Sequence, residues 1–84
     1  MLIYGGEQLN NARRKKLKEV SCLLDRAIGI INATAEAEQD ALDNIPESFQ
    51  DTERCEKMED AVGLLESAAE KIEDAKDKIE EAVQ

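Results

Sequence analysis

Apolar residues recur at helical spacing along two long stretches of the chain. In the first, Leu17, Leu24 and Ile31 form one column seven residues apart, and Val20, Ala27, Thr34 and Ala41 form a second. Leu23, Ile30 and Ala37 form a third, and Ile28, Ala35 and Leu42 a fourth. This spacing predicts a helix over 9–43. Four columns make a face wider than one partner helix can cover. In the second stretch Met58, Leu65, Ile72 and Ile79 form one column, and Ala61, Ala68, Ala75 and Ala82 another. Val62, Ala69 and Val83 form a third, broken by Lys76. The pattern predicts a second helix over 52–83, and its alanine column would let a partner backbone come close. The remaining positions there are mainly Glu, Asp and Lys.

The punctuation between these stretches sets the architecture. Gly5-Gly6 resists helix formation, so residues 1–8 read as a flexible arm, and Asn10 or Asn11 would cap the first helix. Gly29 inside that helix costs about 1 kcal/mol against alanine and marks a close approach or a slight bend. Ile45 precedes the only proline, Pro46, and is biased out of the helical region, which ends the first helix. Ser48-Phe49-Gln50-Asp51 fits a capping box for the second helix, with Asp51 or Thr52 as the alternative cap.

Two helices of similar length, about 50 Å each, joined by the short loop 44–51, pair antiparallel. The fold class is therefore all-α, a helical hairpin of coiled-coil type forming one domain over 9–84. The expected register sets Leu23 opposite Ile72, Ile30 opposite Leu65 and Ala37 opposite Met58. It also sets Val20, Ala27 and Thr34 opposite Ala75, Ala68 and Ala61. It brings Arg14, Lys15 and Lys18 near Glu81, Glu80 and Asp77. The surplus apolar surface of the first helix predicts that two hairpins pair into a four-helix bundle.

Composition narrows the function. The chain has 84 residues, no histidine and a net charge of −9. Without histidine it lacks the commonest general base and the commonest metal ligand. No nucleophile motif or cofactor loop is present, so the chain reads as a non-enzyme without a cofactor or metal. Cys22 and Cys55 would lie about 27 Å apart along the hairpin, too far for a disulfide, and read as small hydrophobes. The first 19 residues carry net +3 and the remainder −12. The "RRKK" run therefore reads as a partner for the acidic end of the second helix, not as a nucleic-acid patch, because the remainder repels phosphate. No apolar run approaches membrane-spanning length, and a soluble, cytoplasmic protein is expected.

The loop is richer than a connector requires. Pro46 and a cap explain part of it, and Ile45 and Phe49 are expected to plug the hairpin end. Asn44, Glu47, Gln50 and Arg54 are not needed for a turn. Segment 43–54, with Asn44, Glu47, Ser48, Phe49, Gln50 and Arg54, is thus the candidate contact surface.

The run "ALDNIPESFQDTERCEKMEDAVGLLESAAEKIEDA" resembles a group of small uncharacterised helical proteins from phages and prophages of gut and other anaerobic bacteria. Their core reads "NLPESLQ-S-ERGE-ME-A". The matching positions are Asn44, Pro46, Glu47, Ser48, Gln50, Glu53, Arg54, Glu56, Met58, Glu59 and Ala61. Ile45, Phe49, Thr52 and Cys55 depart from it, the last where glycine is common. The resemblance implies a phage or prophage setting and no particular chemistry. The expected function is that of a small oligomeric protein acting through protein–protein interaction, with itself and with a host protein. The alternative is an anti-defence protein. That protein would be an acidic DNA mimic, or a sponge holding a small nucleotide signal near Arg54 and Gln50.

Overall fold

A computed structural model describes residues 10–84. The arm expected over 1–8 lies outside the described residues. Helix α1 runs Asn11–Asp43, a single 3₁₀ turn covers Glu47–Phe49, and helix α2 runs Glu53–Ala82. The two helices pack along their length as a hairpin. Asn10 is the cap of α1: its side-chain oxygen accepts the backbone N–H of Arg13 at 2.9 Å. Thr52 caps α2, accepting the Cys55 N–H at 3.3 Å. Ser48 sits inside the 3₁₀ turn, so the capping box expected to start there is not used. No described residue outside glycine adopts positive φ. Pro46, not a left-handed residue, ends α1, with Ile45 N–H closing onto Leu42 O at 3.1 Å.

Each helix buries one stripe against the other. On α1 the inner stripe includes Leu17, Leu24, Ile28, Ile31, Ala35 and Leu42, of which Ala35 is buried and the others half-buried. On α2 it includes Cys55, Met58, Val62, Leu65, Ala69, Ile72, Ile79 and Val83. The steps along both stripes alternate between three and four residues, the spacing that keeps one edge of a helix against a partner. The alignment along the axis is close to the expected one. Glu38 shares a groove with Met58, Ile28 with Ala69, and Arg14 with Val83.

The expected face is corrected. Leu23 and Ile30 are 64% and 57% exposed, and Thr34, Ala37 and Ala75 are exposed as well. They do not face α2 as the sequence pairing placed them. The reason is side-chain volume. The inner stripe carries five large aliphatic residues, Leu17, Leu24, Ile28, Ile31 and Leu42, against three, Val20, Leu23 and Ile30, on the other. Burial free energy grows with the apolar area removed from water, so α1 rotates to bury the larger set. The alanine column of α2 accordingly flanks the interface, with Ala61 and Ala68 half-buried and Ala75 and Ala82 exposed.

The expected pairing of Arg14, Lys15 and Lys18 with Glu81, Glu80 and Asp77 is also not formed. Among the described residues the ion pairs are Lys57–Glu53 at 3.5 Å, Lys76–Asp25 at 2.9 Å and Lys76–Glu80 at 3.7 Å. The N-terminal cations instead line a groove with Val83, beside the carbonyl end of α2. There the negative pole of a helix that has no basic residue in its last turn favours them. Lys76 is a charged residue on the inner stripe of α2. Its ammonium leaves the seam sideways to reach the Asp25 carboxylate. That hydrogen bond, with the Asp25, Glu80 and Glu73 charges and against partial burial, raises its pKa above the ordinary 10.5. A raised lysine pKa stabilises the fold below the unfolded value, and this is lost as pH climbs through the folded value. Asp25→Asn should therefore lower the thermal midpoint at neutral pH. The gap to wild type should close well above pH 10.5.

Gly29 and Gly63 are exposed, and a Cβ built on either meets nothing within 4 Å. Gly29 thus marks no close approach. Gly29→Ala and Gly63→Ala should each raise stability by about 0.5–1 kcal/mol, read as a later midpoint in urea unfolding with unchanged slope.

Candidate interaction site

The hairpin tip is built by a short chain of local constraints. Pro46 leaves α1 extended, and its carbonyl accepts the Phe49 N–H at 2.8 Å to close the 3₁₀ turn. The Gln50 amide donates back to Ile45 O at 3.2 Å, fastening the turn to the end of α1. Cys55 is the most deeply buried of the described side chains, 1% exposed, and its thiol reaches Phe49 O at 3.2 Å. A thiol is a weak donor, so this contact positions more than it stabilises. It nonetheless folds the turn onto α2, where a small, apolar side chain is needed.

The six candidate residues all lie on this tip, and all are exposed. Asn44 forms the end of α1, its N–H turned back to Asp40 O at 3.1 Å. Glu47 opens the 3₁₀ turn and Ser48 sits at its middle. Phe49 is 58% exposed. It does not plug the hairpin end as its sequence position suggested. Cys55 fills that place, and Ile45 is half-buried beside it. The plug is at residue 55 because the cap at Thr52 puts Cys55 on the first inward-facing position of α2. Arg54 lies one residue earlier and projects along the rim. Ile45, Pro46, Phe49, Thr52, Arg54 and Cys55 line one shallow, mostly apolar hollow of about 350 Å³. Gln50, required beside Arg54 by the nucleotide-sponge expectation, does not line it. Its amide is already engaged by the main chain.

A second surface was hidden in the column pattern. On one side of the hairpin Val20, Leu23, Ala27, Ile30, Ala37 and Ala41 of α1 run alongside Ala61, Leu64 and Ala68 of α2. Leu64 is 71% exposed, more than Leu23 or Ile30. The side is set by geometry. In both helices these residues centre on the position just before an inner one, as Ala27 precedes Ile28 and Ala68 precedes Ala69. In an antiparallel pair of right-handed helices that position falls on the same side of both. The opposite side is polar, where Asn32 meets Glu66, Glu70, Glu73 and Asp74 in an acidic groove. Leu64 stands alone on its column, and its signal emerges only when α1 and α2 are placed side by side.

No helix among the described residues is long and apolar enough to cross a membrane. No family model, curated protein or solved structure matches the chain.

Cys22, which reads as a small hydrophobe in the sequence, is exposed on α1, whereas Cys55 is sealed in the tip. An aromatic disulfide reagent should titrate one thiol per native chain rapidly. The second should react only at the rate of tip opening, and both rapidly in denaturant. Cys22→Ser should remove the fast phase.

Proposed function

We propose that this protein is a non-enzymatic helical interaction module that pairs with a second copy into a four-helix bundle and contacts a host protein through the 43–54 tip. The observation that carries this reading is the apolar side of the hairpin, where Leu23, Ile30 and Leu64 are more than half exposed. A scattered exposed leucine needs no explanation, but a two-helix apolar face opposite an acidic one does. A single hairpin also has little core: among the described residues only Ala35, Cys55, Val62 and Ala69 are buried apolar side chains. A second copy supplies the missing layer. The face is one-sided, so pairing through it closes at two chains and does not propagate.

The tip fits the contact role because Phe49 and Arg54, residue types that anchor interfaces, stand free around an apolar hollow. The resemblance to phage and prophage proteins rests on this same segment, which favours a phage setting and a host partner.

Leu23→Glu with Ile30→Glu places two charges per chain into the proposed interface. Sedimentation equilibrium should show the dissociation constant rising by about 100-fold or more, because each carboxylate is desolvated without a partner. The double variant should keep its helical circular dichroism, since neither residue faces α2. An unchanged sedimentation profile would refute self-association through this face.

A further inference from the structure

Building on the self-association proposed above, we infer that the second copy covers the apolar side with its tip at the same end, so that the two 43–54 segments form one composite surface. Two hairpins packed face to face on a twofold axis have two arrangements with antiparallel neighbours. In one, the axis runs along the helices, each α1 lies over the partner's α2, and both tips share an end. In the other, the axis crosses the helices, α1 lies over α1, and the tips are at opposite ends.

Side-chain size favours the first. A twofold axis along the helices preserves height, so the observed register within one hairpin sets the register between copies. Leu23 and Ile30 then come within one residue, about 1.5 Å, of the heights of alanines on the partner's α2, at positions 75 and 68. The leucine at position 64 comes within one residue of the height of Thr34. Large residues meet small ones, the condition for interdigitation at close-packed density. In the second arrangement the small alanine column of α2 lies on its own copy and leaves that half thinly packed.

Charge favours the first arrangement as well. Lys57, Lys71 and Lys78 edge the apolar side on α2. With α1 over α2, Lys78 comes level with Glu19, Lys57 with Asp40, and Lys16 with Glu81. Arg26 near Lys71 is the one opposed pair. With α2 over α2 and the axis at the middle of α2, Lys57 and Lys78 face each other twice, and the acidic edges of the two helices adjoin. The area is sufficient. The stripe from Val20 to Ala41 is about 30 Å long and two helices are about 20 Å wide, roughly 600 Å² per copy. The total of roughly 1,200 Å² lies at the lower bound of stable specific interfaces. The consequence for function is bivalency: two tips on one end engage a partner with two sites or a groove spanning both.

The test is a spin-label distance in the full chain. Ser48→Cys in a Cys22→Ser background puts one accessible thiol on each tip, with Cys55 sealed, and Glu47→Cys gives a second site. Same-end pairing predicts an interlabel distance of about 20–30 Å, set by helix diameters. A distance of about 50 Å or more, a helix length, overturns the same-end inference while leaving the dimer in place. A dimer-free sample with no interchain distance overturns this inference and the self-association beneath it.

Discussion

Two helices in a hairpin can hide only one stripe each, and α1 carries two. That constraint governs the rest of the molecule. The stripe with five large aliphatic residues turns towards α2, and the stripe holding Leu23 and Ile30 is left outside. The rotation of α2 is set in turn, with Met58, Leu65, Ile72 and Ile79 inward and the alanine column on the flank beside Leu64. The same rotation sends Lys76 to the seam, where it turns sideways to Asp25, and collects Glu66, Glu70, Glu73 and Asp74 into an acidic groove on the opposite side. One choice of helix face thus produces an apolar side, an acidic side and a lateral ion pair across the seam.

The tip is held by different means. It has no glycine in a left-handed conformation; Pro46 ends α1, one 3₁₀ turn reverses the chain, and Thr52 starts α2. Cys55 seals the corner, which leaves Phe49 and Arg54 free at the rim. A corner fixed by backbone closures and one small buried side chain has polar and aromatic groups to spare for a partner. The contact proposed for this surface requires little ordering entropy, because its turn is already formed.

Much of this fold is legible in the sequence. The helical periodicity, Pro46 and the alternatives of Asn10 and Thr52 as caps point to both helices and their antiparallel sense, since these are local signals. The surplus of apolar columns on α1 is also legible. Which columns face inward is not, because two stripes share the same seven-residue spacing and only their summed volumes against α2 decide between them. Ser48 matches a capping pattern, but the pattern does not encode that the 3₁₀ turn consumes it. Phe49, the only phenylalanine, reads as a plug, and Cys55, a small residue, takes that place because position relative to the cap outweighs size. Leu64 is invisible for a similar reason: a lone leucine has meaning only beside its neighbours on the other helix.

The claim that the apolar side belongs to a second copy is tested most directly by the solution mass of the intact chain, from light scattering at low and high salt. A mass of twice 9.3 kDa, held or strengthened as salt screens the charge of −9 on each chain, is the predicted result. A mass of 9.3 kDa at both salt concentrations would contradict it.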